Sequence, residues 1–270
     1  MNDFQKKYGP WALVTGANAG IGKAIANELA ARKLNIVAVA RRQHLLDALK
    51  DELEEKHGVE VRTLALDLTE PDAIDRIDRA TQDLVIGLIV PAAGMAIAEE
   101  FITTALERNT LIARLNMAVP MQLVHVFANK MARRKRGGVL FVSSLFAYQG
   151  IPYVANYAAT KAYILALGEA LHVELKKHGI DVSVLSPGLT DTDMPANMPL
   201  NFSKLPMLYQ SPQRVAKTGV KALGRKPTVV SGFINKFYAW QNRLIPRSMP
   251  VSLFGFLIKR AFKPQHRVNA

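Results

Sequence analysis

The 270-residue sequence contains no cysteine, which excludes disulfide bonds and thiolate metal sites in this chain. The first residues, MNDFQKKYGP, lack the long apolar core of a secretory signal peptide, and nothing argues for a secreted scaffold. With 49% hydrophobic and 21% charged residues, the composition is that of an ordinary globular protein and argues against disorder. The length allows one large α/β domain or two small ones.

Acidic residues are absent from the last part of the chain. The last of them is Asp193, and residues 194–270 hold 13 Lys and Arg, so this segment carries the whole formal net charge of +13. Charge placed in this way predicts an anionic partner, whether a membrane surface, an acidic carrier protein or nucleic acid. The basic run at 130–138 lacks interleaved aromatic residues, so we expect no nucleic-acid partner.

No apolar run long enough to span a bilayer occurs in the tail, residues 233–270. Residues 234–262 mix aromatic and aliphatic side chains with Lys and Arg, and Pro246 and Pro250 predict a division into two short helices. Two placements remain open. Either the helices lie on an anionic membrane surface, or their apolar side packs over a substrate pocket or a second subunit while the cations face water.

Short apolar runs alternate with amphipathic segments along residues 1–232, the pattern of βαβ units in a parallel sheet. We therefore predict one α/β domain over 1–232, a Rossmann-like, doubly wound sheet of seven parallel strands with helices on both faces, followed by the helical tail. The predicted strands are 11–15, 35–40, 59–66, 84–90, 138–144, 180–187 and, with a less regular pattern, 227–232. The predicted helices are 20–32, 42–56, 71–81, 103–134, 153–178 and 211–224.

Residues 191–212 interrupt this alternation with four prolines and several Met and Leu residues. Loops of this length inside compact domains are often lids or binding loops. The apolar content predicts that this loop covers a hydrophobic site, and the alternative is a disordered surface loop.

A glycine-rich turn, TGANAGIG, follows the first predicted strand directly and opens a helical segment. Glycines at such a turn let backbone N–H groups approach a pyrophosphate, which then lies at the positive end of the helix. The spacing over Gly16, Gly20 and Gly22 is G-x-x-x-G-x-G and not the usual G-x-G-x-x-G. Its position in the first βαβ unit nevertheless predicts a phosphate site.

Two arginines, Arg41 and Arg42, follow the end of the second predicted strand. An acidic residue at this point hydrogen-bonds the ribose of NAD, whereas a guanidinium suits the 2′-phosphate of NADP. We therefore expect NADP as the cofactor, and the sequence does not distinguish which arginine contacts the phosphate. The alternative is that both arginines are solvated.

Tyr157 and Lys161 stand one helical turn apart in the segment NYAATKAYILALGEALHVEL. This spacing places both side chains on one helix face. An ammonium beside a phenol lowers the pKa of the tyrosine, so that proton transfer near neutral pH becomes practical. The alternative for an isolated pair is a tyrosine on an apolar face and a lysine extended into solvent.

TGANAGIG, Asn116, Ser144, the pair Tyr157 and Lys161, and PGLTDT at 187–192 together resemble the short-chain dehydrogenase/reductase family in order and spacing. The resemblance covers roughly residues 8–232. It implies that Tyr157 exchanges a proton with the substrate oxygen and that Ser144 hydrogen-bonds this oxygen. It also implies that Lys161 binds the nicotinamide ribose and lowers the pKa of Tyr157, and that Asn116 positions the water of a proton relay.

The same resemblance implies which residues hold the cofactor and the substrate. Asp67 matches the acid that accepts from the adenine amine, and the 187–192 segment matches the one that holds the nicotinamide carboxamide. The expected cofactor contacts are Thr15, Gly16, Asn18, Ala19, Gly20, Ile21, Gly22, Arg41, Arg42, Asp67, Leu68, Ala93, Gly94, Asn116, Tyr157, Lys161, Pro187, Gly188, Leu189 and Thr192. The expected substrate contacts are Met95, Ser144, Phe146, Tyr153 and Met194.

One stretch departs from the family pattern. PAAG at 91–94 stands where the family usually has Asn-Asn-Ala-Gly. Ala93 and Gly94 keep the close backbone approach, but the loss of the first Asn puts the hydrogen bonding at this point of the sheet in doubt.

These features predict an NADP-dependent oxidoreductase that transfers hydride between the nicotinamide and a hydrophobic carbonyl or alcohol, either lipid-like, steroid-like or acyl. The alternatives are a non-catalytic NADP-binding sensor and a membrane-surface scaffold. The resemblance implies a homodimer or homotetramer, and we expect a cytoplasmic protein that is peripheral on a membrane if the tail binds lipid. His125 and His172 have no second ligand at metal-binding spacing, so we expect no metal site.

Overall fold

A seven-stranded, fully parallel sheet forms the centre of the computed structural model, which describes residues 2–241, 244, 246 and 248–263. The strand order is β3-β2-β1-β4-β5-β6-β7. The strands are β1 Trp11–Thr15, β2 Asn35–Ala40, β3 Val61–Ala65, β4 Ile86–Pro91, β5 Gly137–Val142, β6 Ile180–Ser186 and β7 Thr228–Val230. Because the order reverses between β1 and β4, the loops after these two strands diverge and leave a crevice at the carboxyl edge.

Helices cover both faces of this sheet. They are α1 Asp3–Tyr8, α2 Gly20–Ala30, α3 Gln43–His57, α4 Ala73–Ala80, α5 Leu106–Ala113, α6 Val119–Arg133, α7 Ala155–Glu174, α8 Asp193–Ala196, α9 Pro212–Ala222, α10 Phe233–Gln241 and α11 Ser248–Ala261. The fold class predicted from the sequence is confirmed.

Alternate residues of the strands point into two separate hydrophobic layers, as the two-residue period of a strand requires. In β1, Ala12 and Val14 pack with α2, α3 and α9 on one face. Trp11 and Leu13 pack with α4, α6 and α7 on the other face. The crevice is therefore supported by a core that is closed on both sides.

The predicted helix over 103–134 is two α-helices joined by a π-helical turn, Arg114–Ala118. The whole stretch Leu106–Arg133 is long and apolar enough to cross a membrane by length and composition. Its residues Leu123, Val124 and Phe127, however, are buried against the sheet. Packing in the core therefore accounts for its apolar character.

The short helix α1 was not predicted. Asn2 and Gln5 form a capping box at its start, in which each side chain accepts from the other residue's backbone N–H. At its other end, Tyr8 is buried and donates a hydrogen bond to Asp181 at the start of β6.

The tail forms α10 and α11, as the two-helix prediction states. The buried residues of α11, Phe254, Ile258 and Ala261, belong to a third hydrophobic cluster that also contains Tyr157. The tail residues Arg243, Ile245, Arg247 and 264–270 lie outside the described residues.

Candidate active site

A cavity of about 470 Å³ occupies the crevice at the carboxyl edge of the sheet. Its walls come from the glycine-rich turn, the PAAG stretch, the end of β5, the start of α7, the 187–192 segment and the loop after it. The parallel sheet thus brings together side chains that lie far apart in the sequence.

The glycine-rich turn fits closely against the loop after β4. Gly16 has φ +66°, and a Cβ there would lie 2.9 Å from the Ala93 backbone. A Cβ at Gly22 would lie 2.2 Å from the Gly16 carbonyl oxygen. Ala19 precedes α2 without a side-chain cap, so no side chain of the cap occupies the first N–H groups of the helix. This arrangement fits a pyrophosphate.

Thr15, one of the expected cofactor contacts, makes a hydrogen bond within the protein. Its side chain is buried, and its Oγ1 accepts a hydrogen bond of 3.1 Å from the Ala93 backbone N–H. Thr15 does not line the cavity and instead joins the glycine-rich turn to the loop after β4.

The two arginines after β2 both line the cavity but have different neighbours. When the Asn18 amide is oriented with its oxygen towards Arg42, that oxygen accepts two guanidinium hydrogen bonds, at 2.8 and 2.9 Å. Arg41 instead lies near Asp67 and contributes to the lowering of its pKa. The larger causes of that lowering are the hydrogen bonds that Asp67 accepts from the backbone N–H and the hydroxyl of Thr69.

Tyr157, Ser144 and Lys161 converge at the inner end of the cavity. Tyr157 and Lys161 are both buried. Burial raises the pKa of Tyr157, and a hydrogen bond with Ser144 acts in the opposite direction. Ser144 lies two residues after β5 and caps the short 3-10 helix Leu145–Tyr148, with its Oγ 3.2 Å from the Phe146 backbone nitrogen.

Lys161 donates a hydrogen bond of 2.9 Å to the Val142 carbonyl oxygen. Its Nζ lies 5.7 Å from the centre of the Tyr157 ring, and burial lowers its pKa to about 8. The ammonium is thus directed to the end of β5, and the lowering of the Tyr157 pKa by Lys161 stays a prediction.

Asn116 lies in the π-helical turn and does not line the cavity. Its side chain is buried and makes three hydrogen bonds, two with the Met95 backbone and one, of 3.1 Å, to Thr160 Oγ1. The residue four positions later is Pro120, which has no backbone N–H. The Asn116 carbonyl therefore lacks the i+4 donor that a regular α-helix would supply.

The loop at 191–209, here called the lid, covers the outer part of the cavity. Gln210 closes its base, since its backbone nitrogen donates to Leu189 and its carbonyl accepts from Asp191. Eight of its residues line the cavity, namely Thr192, Asp193, Met194, Pro195, Asn197, Met198, Phe202 and Met207. The prediction that this loop covers a hydrophobic site agrees with this placement.

Most of the expected contact residues line the cavity, and a few do not. Met95, Ser144, Phe146 and Met194 line it among the substrate residues. Tyr153 does not, because its ring packs against Phe262 at the end of α11, with centres 5.6 Å apart. Asp67 and Leu68, two expected cofactor contacts, also do not line the cavity. The expected cofactor contacts that do line it include Asn18, Ala19, Gly20, Ile21, Ala93, Gly94, Pro187, Gly188, Leu189 and Thr192.

Some residues at or behind the cavity were not predicted individually from the sequence. Met198, Phe202 and Met207 were implied only by the apolar composition of the lid. Asn235 of α10 had no sequence signal. It packs directly behind the 187–192 segment, where a Cβ at Gly188 would lie 2.2 Å from Asn235 Nδ2.

Known proteins resemble this chain over most of its length. A family model described as short chain dehydrogenase matches residues 10–201. A 7beta-hydroxysteroid dehydrogenase of Clostridium sardiniense is 32% identical over 253 residues, which are 94% of this chain and 97% of the relative. A very-long-chain 3-oxoacyl-CoA reductase of Mus musculus is 30% identical over 247 residues, 90% of this chain and 78% of the relative.

Solved structures give the same result. One, from a study of 7beta-hydroxysteroid dehydrogenase stereoselectivity, has a TM-score of 0.86 at 28% identity and covers 94% of this chain and 100% of its own. Another, a short-chain dehydrogenase from Sphingobium yanoikuyae in complex with NADPH, has a TM-score of 0.77 at 27% identity, with 87% and 93% covered.

Proposed function

Because this chain belongs to the short-chain dehydrogenase/reductase family, and is thus an oxidoreductase of the nicotinamide-binding type, we propose that it uses NADP to interconvert a hydrophobic carbonyl and its alcohol. One observation carries the proposal. Ser144, Tyr157 and Lys161 line the same cavity as the glycine-rich turn and Arg42. A protein that only bound the dinucleotide would not need a phenol and a serine hydroxyl directed to one point.

The residues of the cavity fit the cofactor along its length. The glycine-rich turn would hold the pyrophosphate, Arg42 the 2′-phosphate, and the 187–192 segment with Ala93 and Gly94 the nicotinamide half. When bound, NADP supplies the hydride or accepts it.

Two side chains of the protein would act on the substrate oxygen, one by hydrogen bonding and one by proton transfer. Ser144 donates a hydrogen bond to the oxygen on which charge develops, and Tyr157 delivers or removes its proton. Because burial keeps the phenol of Tyr157 protonated in the free protein, it is ready to donate in the reductive direction. Lys161 adds a positive charge near this point, and the Asn116 carbonyl holds a water that replaces the proton.

An apolar substrate is favoured by the residues around Ser144 and Tyr157. Met95, Phe146, Met198, Phe202 and Met207 surround the space in front of them. Methionine side chains adapt to ligands of irregular shape. The names of the relatives point to the same two classes, a steroid hydroxyl group and a 3-oxoacyl group.

The proposal is tested with Tyr157→Phe, which removes one hydroxyl from the site. We expect NADPH binding to be unchanged and turnover to fall at least about a hundredfold, since general acid catalysis contributes about 10²–10⁴. Absorbance of the nicotinamide is followed with panels of keto-steroids and 3-oxoacyl thioesters. Tyr163→Phe is the matched control, because Tyr163 is on the same helix but outside the cavity lining.

Two results would overturn this assignment. Equal turnover by wild type and Tyr157→Phe would exclude the proton-transfer role. Tight NADPH binding by the wild type without turnover of any member of either panel would favour the non-catalytic sensor.

We also propose that the protein is a dimer or tetramer in the cytoplasm. Leu111, Met121 and Val173 leave apolar side chains exposed on α5, α6 and α7, and burial of such residues favours association. Light scattering of wild type and Val173→Asp would test this, since a charge in a contact formed by α7 should shift the protein towards the monomer.

A further inference from the structure

The two tail helices are apolar on both of their faces. The inner face of α11 packs against the lid, where Asn201 donates to the Ala261 carbonyl at 2.7 Å and Leu200 pairs with Phe262. Tyr238 of α10 contacts Phe254 of α11, with ring centres 6.4 Å apart. These contacts bury the side of the tail helices that faces the protein and leave the opposite side exposed to solvent.

Each tail helix carries exposed large apolar side chains at helical spacing. Each of them is more than half exposed. They are Phe233, Phe237 and Trp240 on α10, and Met249, Leu253 and Phe256 on α11. Together we call these six residues the outer stripe. An exposed group of this size on a folded protein marks a surface that is covered by something else.

Positive charge accompanies the outer stripe. Lys236 lies between its members on α10, and Lys259 and Arg260 end α11. The Arg260 guanidinium lies 5.1 Å from the centre of the Phe256 ring. No acidic residue follows Asp193 in the chain, so the tail itself contains nothing to neutralise these cations.

The combination of exposed apolar side chains and cations distinguishes between possible partners of the outer stripe. A second copy placed symmetrically would bring these cations against their own equivalents with no acid from the tail between them, which is unfavourable. An acidic protein would neutralise the charge, but it would not by itself account for six large apolar side chains. Aromatic and aliphatic residues interspersed with cations are what an interfacial helix presents to anionic lipid.

We propose that the outer stripe, with Lys236, Lys259 and Arg260, binds peripherally to the surface of an anionic lipid bilayer. The apolar side chains enter the headgroup boundary and the cations contact the anionic headgroups. The inference concerns the tail surface and stands whether or not the proposed reaction is correct.

Trp240 permits a position-specific test, because the other tryptophan, Trp11, is buried in the core. Full-length protein is mixed with vesicles of phosphatidylcholine alone, or of phosphatidylcholine with roughly 30% phosphatidylserine, a level at which anionic-surface effects are strong. Each kind of vesicle is prepared with and without brominated acyl chains. We expect co-sedimentation with the anionic vesicles and quenching of Trp240 by bromine. Trp240→Phe should sediment similarly but lose the quenching.

Charge and apolar contributions are separated by two variants. Lys259→Gln with Arg260→Gln should weaken binding to the anionic vesicles by roughly 30-fold, as the loss of two cations near the surface predicts. The matched control is Lys176→Gln with Lys177→Gln, two exposed cations at the far end of α7, and it should change binding less than twofold. Leu253→Ser with Phe256→Ser should abolish binding while the melting temperature and NADPH affinity stay unchanged.

Several outcomes would overturn the proposal. Absence of binding to anionic vesicles, or binding without quenching of Trp240, would show that this surface does not meet lipid. A shift to a smaller oligomer in Leu253→Ser with Phe256→Ser would assign the stripe to a second copy. If an acidic acyl carrier protein bound in a charge-dependent way and the vesicles did not bind, the outer stripe would be assigned to a protein partner.

Discussion

Arg42 is oriented by a side chain of the glycine-rich turn, and in this it differs from Arg41. With its oxygen towards Arg42, the Asn18 amide accepts two hydrogen bonds from one side of the Arg42 guanidinium, through Nε and one Nη, so the other Nη is directed away from Asn18. A guanidinium held in this way loses little conformational freedom when it binds a phosphate. We infer that Arg42, and not Arg41, discriminates NADP from NAD.

This inference gives a prediction about cofactor preference. Arg42→Ala should weaken NADPH binding by roughly 10- to 100-fold, the loss expected for hydrogen bonds to a charged group, and change NADH binding little. Arg41→Ala is the matched control and should have a smaller effect on NADPH. Fluorescence titration of both cofactors measures the four affinities. Equal losses for the two variants would show that the arginines share the phosphate.

The buried lysine predicts a pH dependence. Burial lowers the pKa of Lys161 to about 8, so its ammonium is charged below this pH and neutral above it. We expect kcat/KM for carbonyl reduction to fall as the pH rises through about 8, since kcat/KM reports ionisations of the free enzyme. In Lys161→Arg, whose charge persists, any remaining activity should decline only at higher pH. A flat wild-type profile up to pH 10 would contradict this assignment.

At the residue scale, the sequence allowed prediction of those site residues that lie in short motifs. Gly16, Ser144, Tyr157 and Lys161 lie in the cavity because each sits at a fixed offset from a strand or within one helical turn. The contact of Tyr153 with Phe262 was not predicted, since the two residues are more than a hundred positions apart in the sequence, and the substrate role of Tyr153 stays a prediction. Sequence spacing contains no information about such a contact.

The π-helical turn between α5 and α6 determines the surroundings of both the side chain and the backbone carbonyl of Asn116. Its longer hydrogen-bonding pattern turns the Asn116 side chain towards Met95 and Thr160, and Pro120 withholds a donor from the Asn116 carbonyl. Single π turns occur frequently at functional sites. The core helix is thus interrupted at Asn116, whose side chain bonds to the loop after β4 and to α7.

We predict that Pro120→Ala lowers turnover several-fold without weakening NADPH binding. The new N–H can donate to the Asn116 carbonyl and compete with a water for it. The melting temperature should stay the same or rise, because a helical hydrogen bond is gained. Solvent-isotope effects on kcat would detect a change in proton transfer, and an unaltered kcat would show that this carbonyl has no part in the reaction.

At the element scale, the periodicity of apolar residues predicted the strands well and the helix ends less well. All seven strands occur at their predicted places because parallel strands buried on both faces form continuous apolar runs. The interruption at Arg114–Ala118 was not predicted, since Leu115, Met117 and Val119 continue the apolar character of a regular helix. Helix α1 was missed because six polar and aromatic residues show no clear period.

Across the whole molecule, α1 connects the turn before β2 with the start of β6. Lys7 forms an ion pair with Asp181 at 2.5 Å, and the Tyr8 hydroxyl donates to the same carboxylate. This cluster lies at the start of β6, on the opposite edge of the sheet from the cavity. Burial raises the pKa of Tyr8, so the phenol remains a neutral donor.

We predict that Tyr8→Phe lowers the free energy of unfolding by about 1–3 kcal/mol and leaves turnover unchanged, because a hydrogen bond to a partly buried charged group is lost far from the site. The difference should persist below pH of about 10 and disappear as the pH rises further, where the unfolded phenol ionises first. Urea denaturation measures it. Tyr209→Phe, at an exposed ring, is the control and should have no effect.

The pairing of Leu200 with Phe262 has a consequence for protein engineering. Because Met198 and Phe202 line the cavity while their neighbours pack on Phe254 and Ile258, substrate range cannot be altered at the lid alone. Substitutions in the two segments should show strong epistasis, with single changes harmful and matched pairs tolerated. Libraries intended to change selectivity should therefore randomise 198–207 and 254–262 together.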